Sequence, residues 1–207
     1  MKYIKKGIPY KRNPLLNHDE IEALSHYRDA GTNQLDWTYF VPANRWKDRD
    51  CFMINGMLKG NILKNNLVNS DKKLLLDLIP LISSATRKNR VSDTFTIYKG
   101  FGSDSWITEK FDINGKPLEN TPYIDYAFGS FTSNPEIAVK YSKKHNKKDI
   151  YLLAQTLDIG DCALYIDDKE YEWLLPENIW YYFDKRTIVP LENGCKQITY
   201  YIKRINR

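Results

Sequence analysis

Glu-Tyr-Glu-Trp-Leu-Leu-Pro, at residues 170–176, places two carboxylates one residue apart, directly before an apolar pair and a proline. In an extended chain, residues i and i+2 point to the same side. We therefore expect Glu170 and Glu172 to converge on one point, with Trp173 and Leu175 facing a core. Two like charges this close cost free energy unless a cationic or polar group lies between them. Because an isolated pair of this kind also fits an acidic surface turn, its meaning depends on the rest of the chain.

The composition is that of a globular protein with a substantial core. Of 207 residues, 42% are hydrophobic and 28% are charged, which are ordinary fractions for a soluble domain. The net charge of +5 is spread along the chain. A basic nucleic-acid-binding domain is therefore disfavoured, since the sequence contains neither a nucleic-acid-binding motif nor a clustered basic face.

The cysteines and the hydropathy pattern bear on compartment and metal binding. Cys51, Cys162 and Cys195 are far apart and form no C-x-x-C pair, and only three histidines are present. This pattern argues against a structural zinc site and favours a reducing cytoplasm. The basic N-terminus lacks a following apolar region, and no run approaches 18 apolar residues. We therefore expect neither a signal peptide nor a transmembrane helix, and a cytoplasmic location.

The first half of the chain has helical patterning. Residues 1–16 are basic and proline-containing, which predicts an N-terminal arm. Asn17 has the position of a helix N-cap, with Glu20 three residues later completing a capping box. Residues 32–53 are irregular and aromatic, and we interpret them as an insertion. Further helices are predicted at 54–60 and, kinked by its proline, at 70–87.

From about residue 94 the hydropathy period changes to two, which predicts strands. Asn134-Pro135-Glu136 is typical of a helix start, and residues 143–148 are interpreted as a basic loop. The predicted strands lie at 94–98, 127–132, 150–157, 163–166, 173–175 with 180–183, and 198–205, with a tight turn at Asn114-Gly115. The expected fold class is α+β, in a single domain over 17–207 whose helical part, 17–90, packs on a β-rich core, 91–207.

Three motifs follow one another in a fixed order along the chain. The first is the strand end Tyr98-Lys99-Gly100, and the last is the Glu-x-Glu stretch before Leu-Leu-Pro176. The middle motif runs from Phe128 to Tyr141 and contains the following residues between them: Ser130, Thr132, Asn134, Pro135, Glu136 and Ala138. With Tyr27 and Ile54-Asn55 upstream, the chain resembles the mono-ADP-ribosyltransferases of the Arg-Ser-Glu class, which include clostridial toxin-type and T-even phage enzymes. This resemblance covers about residues 17–205.

The resemblance implies a β-sandwich core and an activity. The expected substrate is NAD, and the expected reaction cleaves its nicotinamide–ribose bond and transfers ADP-ribose to a protein side chain, without a metal. Glu172 is expected to stabilise the oxocarbenium-like transition state. Ser130 is expected to place Glu172, and Glu170 to orient or deprotonate the acceptor, which for a Glu at this position is arginine.

The remaining implied residues hold NAD. They are Lys99, Gly100, Phe128, Thr132 and Ser130, with Lys99 on the pyrophosphate. Lys99 stands where the family has an arginine, and lysine keeps the charge but loses the planar bidentate fork. Two alternatives stay open: an NAD glycohydrolase, which keeps the fold and uses water as acceptor, and, because of Lys99, a catalytically weakened protein that binds NAD or a partner.

Partners are expected from the resemblance and the composition. The Lys/Asn/Ile-rich chain fits a bacteriophage protein or bacterial effector that acts inside a bacterial cell, with host transcription or translation proteins as substrates. We expect a monomer that binds neither membrane nor nucleic acid.

Overall fold

The computed structural model describes residues 4–28, 51–60, 69–103, 106–113, 116–146, 148–192 and 194–205. A short 3-10 helix, Tyr10–Arg12, precedes three helices: α1 (His18–Arg28), α2 (Cys51–Leu58) and α3 (Asn69–Lys88). The helical N-terminal part is thus as predicted, although the predicted insertion at 32–53 lies largely outside the described residues.

Local sequence explains how α1 begins and how it is held. The Asn17 side chain accepts a hydrogen bond from the Glu20 amide at 2.9 Å, and Glu20 accepts one from the Asn17 amide at 3.0 Å. This reciprocal pair is the predicted capping box. The other Glu20 oxygen accepts hydrogen bonds from Ser84 and Lys88 of α3, each at 2.6 Å. Glu20 therefore caps the start of α1 and links α1 to α3. The α3 helix runs on past Pro80 as one continuous element.

The second half forms a mixed sheet with two further helices. The helices are α4 (Trp106–Phe111) and α5 (Pro135–His145). The strands are β1 (Phe95–Phe101), β2 (Asp112–Ile113), β3 (Lys116–Pro117), β4 (Pro122–Asp125), β5 (Gly129–Thr132), β6 (Ile150–Leu157), β7 (Leu164–Asp167), β8 (Glu172–Leu175), β9 (Ile179–Pro190) and β10 (Lys196–Arg204). Eight strands are hydrogen-bonded in the order β4-β9-β10-β6-β1-β5-β8-β7, while β2 and β3 pair separately around the predicted Asn114-Gly115 turn, whose two residues lie outside the described part.

The sheet is buried on both faces where it holds the carboxylate stretch. Leu174 of β8 packs with the helical part, whereas Trp173 and Leu175 pack into a second core formed by the strands. The side chains of a strand alternate between faces, so β8 joins the two cores.

One continuous sheet encloses the second core. Phe95 of β1 contacts Trp173 with ring centroids 4.9 Å apart, and Phe101 contacts Tyr200 of β10 at 6.0 Å. Arg204, at the end of β10, donates to the Cys162 carbonyl just before β7 at 3.1 Å. The α+β fold with a sandwich-like core agrees with the prediction.

Several predicted boundaries were wrong. The β1 strand continues through Lys99 and Gly100 instead of ending there, since these residues pair with Leu153 and Leu152 of β6. The α5 helix extends to His145, so the predicted basic loop begins inside a helix. Its start is as predicted, because Asn134 accepts a hydrogen bond from the Glu136 amide at 3.0 Å.

The segment predicted as an arm packs on the domain. Tyr10 is buried among the helices, and Gly7 lies against Tyr165 and Trp173 so closely that a Cβ there would be 2.6 Å from the Tyr165 Cβ. Within the described ranges, no helix combines the length and apolar character needed to cross a bilayer.

Candidate active site

A cavity of about 360 Å³ opens between the helical part and the sheet. All seven residues predicted to act on or bind NAD line it: Lys99, Gly100, Phe128, Ser130, Thr132, Glu170 and Glu172. They come from β1, from β5 and its approach, and from the start of β8, which are adjacent in the sheet. The sheet order therefore explains why motifs far apart in sequence meet.

Glu172 is the first residue of β8, directly opposite Thr132 of β5. Its Oε1 accepts a hydrogen bond from Ser130 Oγ at 2.5 Å. The side chain is 15% exposed, so the carboxylate faces the cavity without being fully solvated. Because the serine and the glutamate lie on paired strands, their relative position is set by backbone hydrogen bonds.

Glu170 reaches the same cavity by a route that the sequence did not predict. It lies in a turn before β8, where Tyr171 has a positive φ of 50°, so strand alternation is not what brings the two carboxylates together. The Asp167 side chain accepts a hydrogen bond from the Glu170 amide at 3.0 Å. Thr132 Oγ1 donates to the Glu170 carbonyl at 2.6 Å, and Tyr141 OH donates to Glu170 Oε1 at 2.6 Å.

Arg28 brings positive charge to the two ends of this turn. At the C-terminal end of α1, its Nη2 contacts Asp167 Oδ2, and its Nε lies 3.8 Å from Glu172 Oε2. The guanidinium thus supplies the cationic group that two neighbouring carboxylates require. Sequence reasoning missed Arg28, because nothing in the local pattern of α1 distinguishes it from a solvated helix-end arginine.

Lys99 projects into the cavity from β1. Its ammonium lies 5.7 Å from the ring centroid of Phe131. Burial lowers the pKa of Lys99, an effect opposed by the charges of Asp125 and Glu172 and reinforced by Lys59.

Gly100 lines the cavity, yet a helix explains why it is a glycine. A Cβ at this position would lie 2.0 Å from the Ala138 carbonyl oxygen and 2.7 Å from the Ser142 nitrogen, both in α5. The resemblance implied that Gly100 holds NAD, whereas the close approach that requires a glycine here is that of α5.

Tyr27 and Asn55, from the helical part, form one wall of the cavity. Asn55 donates to Tyr27 OH at 2.9 Å, and its oxygen accepts from the Phe128 amide at 3.1 Å. The Tyr27 and Phe128 rings meet edge to face with centroids 5.8 Å apart. Burial raises the pKa of Tyr27 well above its ordinary value, so its hydroxyl stays neutral. His145, which lies in the segment predicted as a basic loop, also lines the cavity.

The described residues include no group of three or more His, Cys, Asp or Glu side chains placed to hold a metal ion. All three cysteines are free thiols. The candidate chemistry of the cavity is therefore that of two carboxylates, their hydroxyl donors and the cationic Lys99 and Arg28.

This architecture is the fold of the ADP-ribosyltransferase toxins, as the sequence motifs predicted. The enzymatic component C2-I of the C2 toxin from Clostridium botulinum is 18% identical over 92% of this chain, with a TM-score of 0.62. Plx2a, an ADP-ribosyltransferase toxin from Paenibacillus larvae, is 15% identical over 95% of this chain and 90% of its own, with a TM-score of 0.60. The ADP-ribosylating toxin BECa from C. perfringens, solved with NADH, is 16% identical over 92%, with a TM-score of 0.59.

The likeness is one of fold. The chain spans 44% of C2-I and of BECa, so it is about half as long as these toxin components. No family model matches the chain, and no curated protein matches its sequence.

Proposed function

We propose that the protein is an NAD-dependent mono-ADP-ribosyltransferase. The observation that supports this most directly is the 2.5 Å hydrogen bond from Ser130 to Glu172 inside the cavity. It holds a carboxylate in a partly desolvated cleft, on the fold of enzymes that transfer ADP-ribose. A carboxylate fixed in this way is suited to stabilise positive charge that develops on a bound sugar.

Lys99 is the proposed contact for the NAD pyrophosphate. Among the described residues, no acceptor lies within hydrogen-bonding distance of its ammonium, and burial lowers its pKa. An anion beside the ammonium offsets the free-energy cost of burying its charge, since an opposite charge favours the charged form. Phe128 and Thr132 line the same cavity and are proposed to contact the remainder of the dinucleotide.

The proposed reaction breaks the bond between ribose C1′ and the nicotinamide nitrogen, and the electron pair leaves with nicotinamide. Glu172 stabilises the oxocarbenium-like ribose, much as a carboxylate does in glycosidases. A guanidino nitrogen of the acceptor then bonds to C1′, and its proton passes to Glu170. Arginine is the proposed acceptor, because a second carboxylate lining the cleft both attracts a guanidinium and can take its proton.

The proposed acceptor belongs to a protein, and the proposed setting is the cytoplasm of a bacterial cell. The fold of toxins that modify other molecules supports an effector role. Host transcription and translation proteins are the proposed targets, and a bacteriophage is the proposed source, on the basis of composition.

The test is incubation of the protein with tagged NAD and a bacterial lysate. Wild type is expected to release nicotinamide and label protein bands, and Glu172→Gln is expected to do neither. Glu22→Gln, which changes an exposed glutamate of α1, is the matched control.

Free ADP-ribose without labelled protein would show a glycohydrolase. Lack of turnover in wild type, restored by Lys99→Arg, would show a weakened transferase, and lack of both turnover and NAD binding would refute the proposal.

A further inference from the structure

The two carboxylates of the cavity are held by two separate hydroxyl donors. Ser130 donates to Glu172 Oε1 at 2.5 Å, and Tyr141 donates to Glu170 Oε1 at 2.6 Å. Ser130 comes from β5, whereas Tyr141 comes from the middle of α5. Either hydroxyl can therefore be removed by one substitution that leaves the other hydroxyl in place.

Tyr141 is well placed to fix the Glu170 side chain. The Glu170 backbone is already held, since its amide donates to Asp167 at 3.0 Å and its carbonyl accepts from Thr132 at 2.6 Å. Its carboxylate has one donor among the described residues, the Tyr141 hydroxyl. The ring of Tyr141 is in turn covered by the Lys144 ammonium, 4.7 Å from its centroid, a contact that favours a fixed ring position.

We propose that Tyr141 is a positioning residue that aims Glu170 at the acceptor, and that it governs transfer of ADP-ribose without governing cleavage of NAD. This inference rests on the proposed function. Without the hydroxyl, Glu170 would be held in the cavity by no donor and would be repelled by Glu172, which faces the same space. It would then turn toward solvent, where a carboxylate is well hydrated.

The geometry assigns different tasks to the two Glu170 oxygens. Oε1 is occupied by Tyr141, so Oε2 is the oxygen that meets the acceptor. As the C1′–nicotinamide bond breaks and the acceptor nitrogen bonds to C1′, the acceptor proton moves to Oε2. When water is the acceptor, the orientation of the Glu170 carboxylate matters less. Water is small, neutral and abundant, and it needs no fixed carboxylate to orient it.

The experiment compares Tyr141→Phe with Tyr165→Phe. Both remove one tyrosine hydroxyl that donates to a carboxylate of the same turn, since Tyr165 donates to Asp168 at 2.9 Å, but Tyr165 is a buried core residue outside the cavity lining. The probe acceptor is agmatine, a small guanidine. Two rates are measured with each protein: formation of ADP-ribosyl-agmatine, and nicotinamide release without agmatine.

For Tyr141→Phe we expect kcat for agmatine transfer to fall by about tenfold or more, as for loss of a hydrogen bond to a charged group. Nicotinamide release without agmatine and the KM for NAD are expected to stay near wild type. Tyr165→Phe is expected to preserve the ratio of the two rates.

Two kinds of failure can be told apart. If Tyr141→Phe lowers both rates equally, or changes neither, the positioning role is overturned while the transferase stands. If wild type releases no nicotinamide under any condition, the proposed function fails, and this inference fails with it.

Discussion

Arg28 Nε lies 3.8 Å from Glu172 Oε2, so a residue of the first helix faces the carboxylate of the last motif. The same guanidinium contacts Asp167, whose other oxygen accepts hydrogen bonds from the Lys169 and Glu170 amides, each at 3.0 Å. Arg28 thus stabilises the turn that holds both carboxylates. A planar, permanently charged group suits this task, whereas the lysine of β1 supplies a point charge.

We predict that Arg28→Gln lowers kcat for nicotinamide release about tenfold, because Glu172 and Asp167 lose the cation that they share. Loss of a hydrogen bond to a charged group costs about 1.5–3 kcal/mol, which is consistent with an effect of this size. Arg28→Lys is expected to recover part of the loss, since it restores charge without the fork. Steady-state assays over NAD concentration measure the effect. Lys203→Gln, which breaks an exposed ion pair with Asp184, is the control, and equal losses in the two variants would contradict the prediction.

Binding of NAD is predicted to depend on pH through Lys99. Burial lowers the Lys99 pKa from its ordinary 10.5, and a bound pyrophosphate raises it again. The affinity should therefore be highest below the lowered pKa of Lys99 and weaken as pH rises through that pKa toward 10.5. Tyr27, whose pKa is raised by burial, stays neutral over this range.

Calorimetric titration of the protein with NAD at increasing pH measures this dependence. In Lys99→Arg the affinity should not change over the same range, since arginine stays charged. The stability of the ligand-free protein should change in the opposite direction and increase as pH rises over this range. Its unfolded state binds more protons at Lys99, so the contribution of Lys99 to stability rises as pH passes through the lowered pKa. An identical pH dependence of NAD binding in both proteins would rule Lys99 out as the group responsible.

Gly100→Ala is predicted to destabilise the protein by about 3 kcal/mol or more, as for severe overpacking. The new Cβ would lie 2.0 Å from a backbone oxygen of α5, and a backbone atom can yield only if the whole helix moves. Denaturant unfolding measures the change. Gly160→Ala is the comparison, because no atom lies within 4 Å of its Cβ position and its cost comes only from the positive φ of 90°. A larger loss at Gly160 than at Gly100 would contradict the packing argument.

Glu20→Ala is predicted to lower the free energy of unfolding by about 3 kcal/mol, since it removes a capping interaction and leaves partners of a buried carboxylate unpaired. Burial opposes ionisation of Glu20, but hydrogen bonds from Lys88, Ser84 and Asn17 prevail and lower its pKa below 4.5. The stabilisation is therefore present above pH 4.5 and is lost as pH falls through the lowered value. Glu22→Ala, on the exposed face of α1, should change stability little in the same unfolding assay.

Much of the fold and site followed from local chemistry. The Asn17–Glu20 capping box, the start of α5 at Pro135 and the change of hydropathy period all depend on residues a few positions apart. The motif residues could be assigned to one cavity because their order matches a known family pattern. The segment boundaries at Lys99 and at residues 143–148 were wrong, because strand pairing with β6 and packing of α5 override short polar runs.

The sequence by itself predicted which residues would act: the Glu170–Glu172 pair, Ser130, and Lys99 where the resembled family has an arginine. Only the tertiary structure decided how they are held. Arg28 meets Glu172 because α1 shares a buried core with residues of β7 and β8, and Tyr141 meets Glu170 because α5 lies over β1 and β5. Such contacts depend on the packing of whole helices against the sheet, and residues distant in sequence leave no local pattern from which that packing can be inferred.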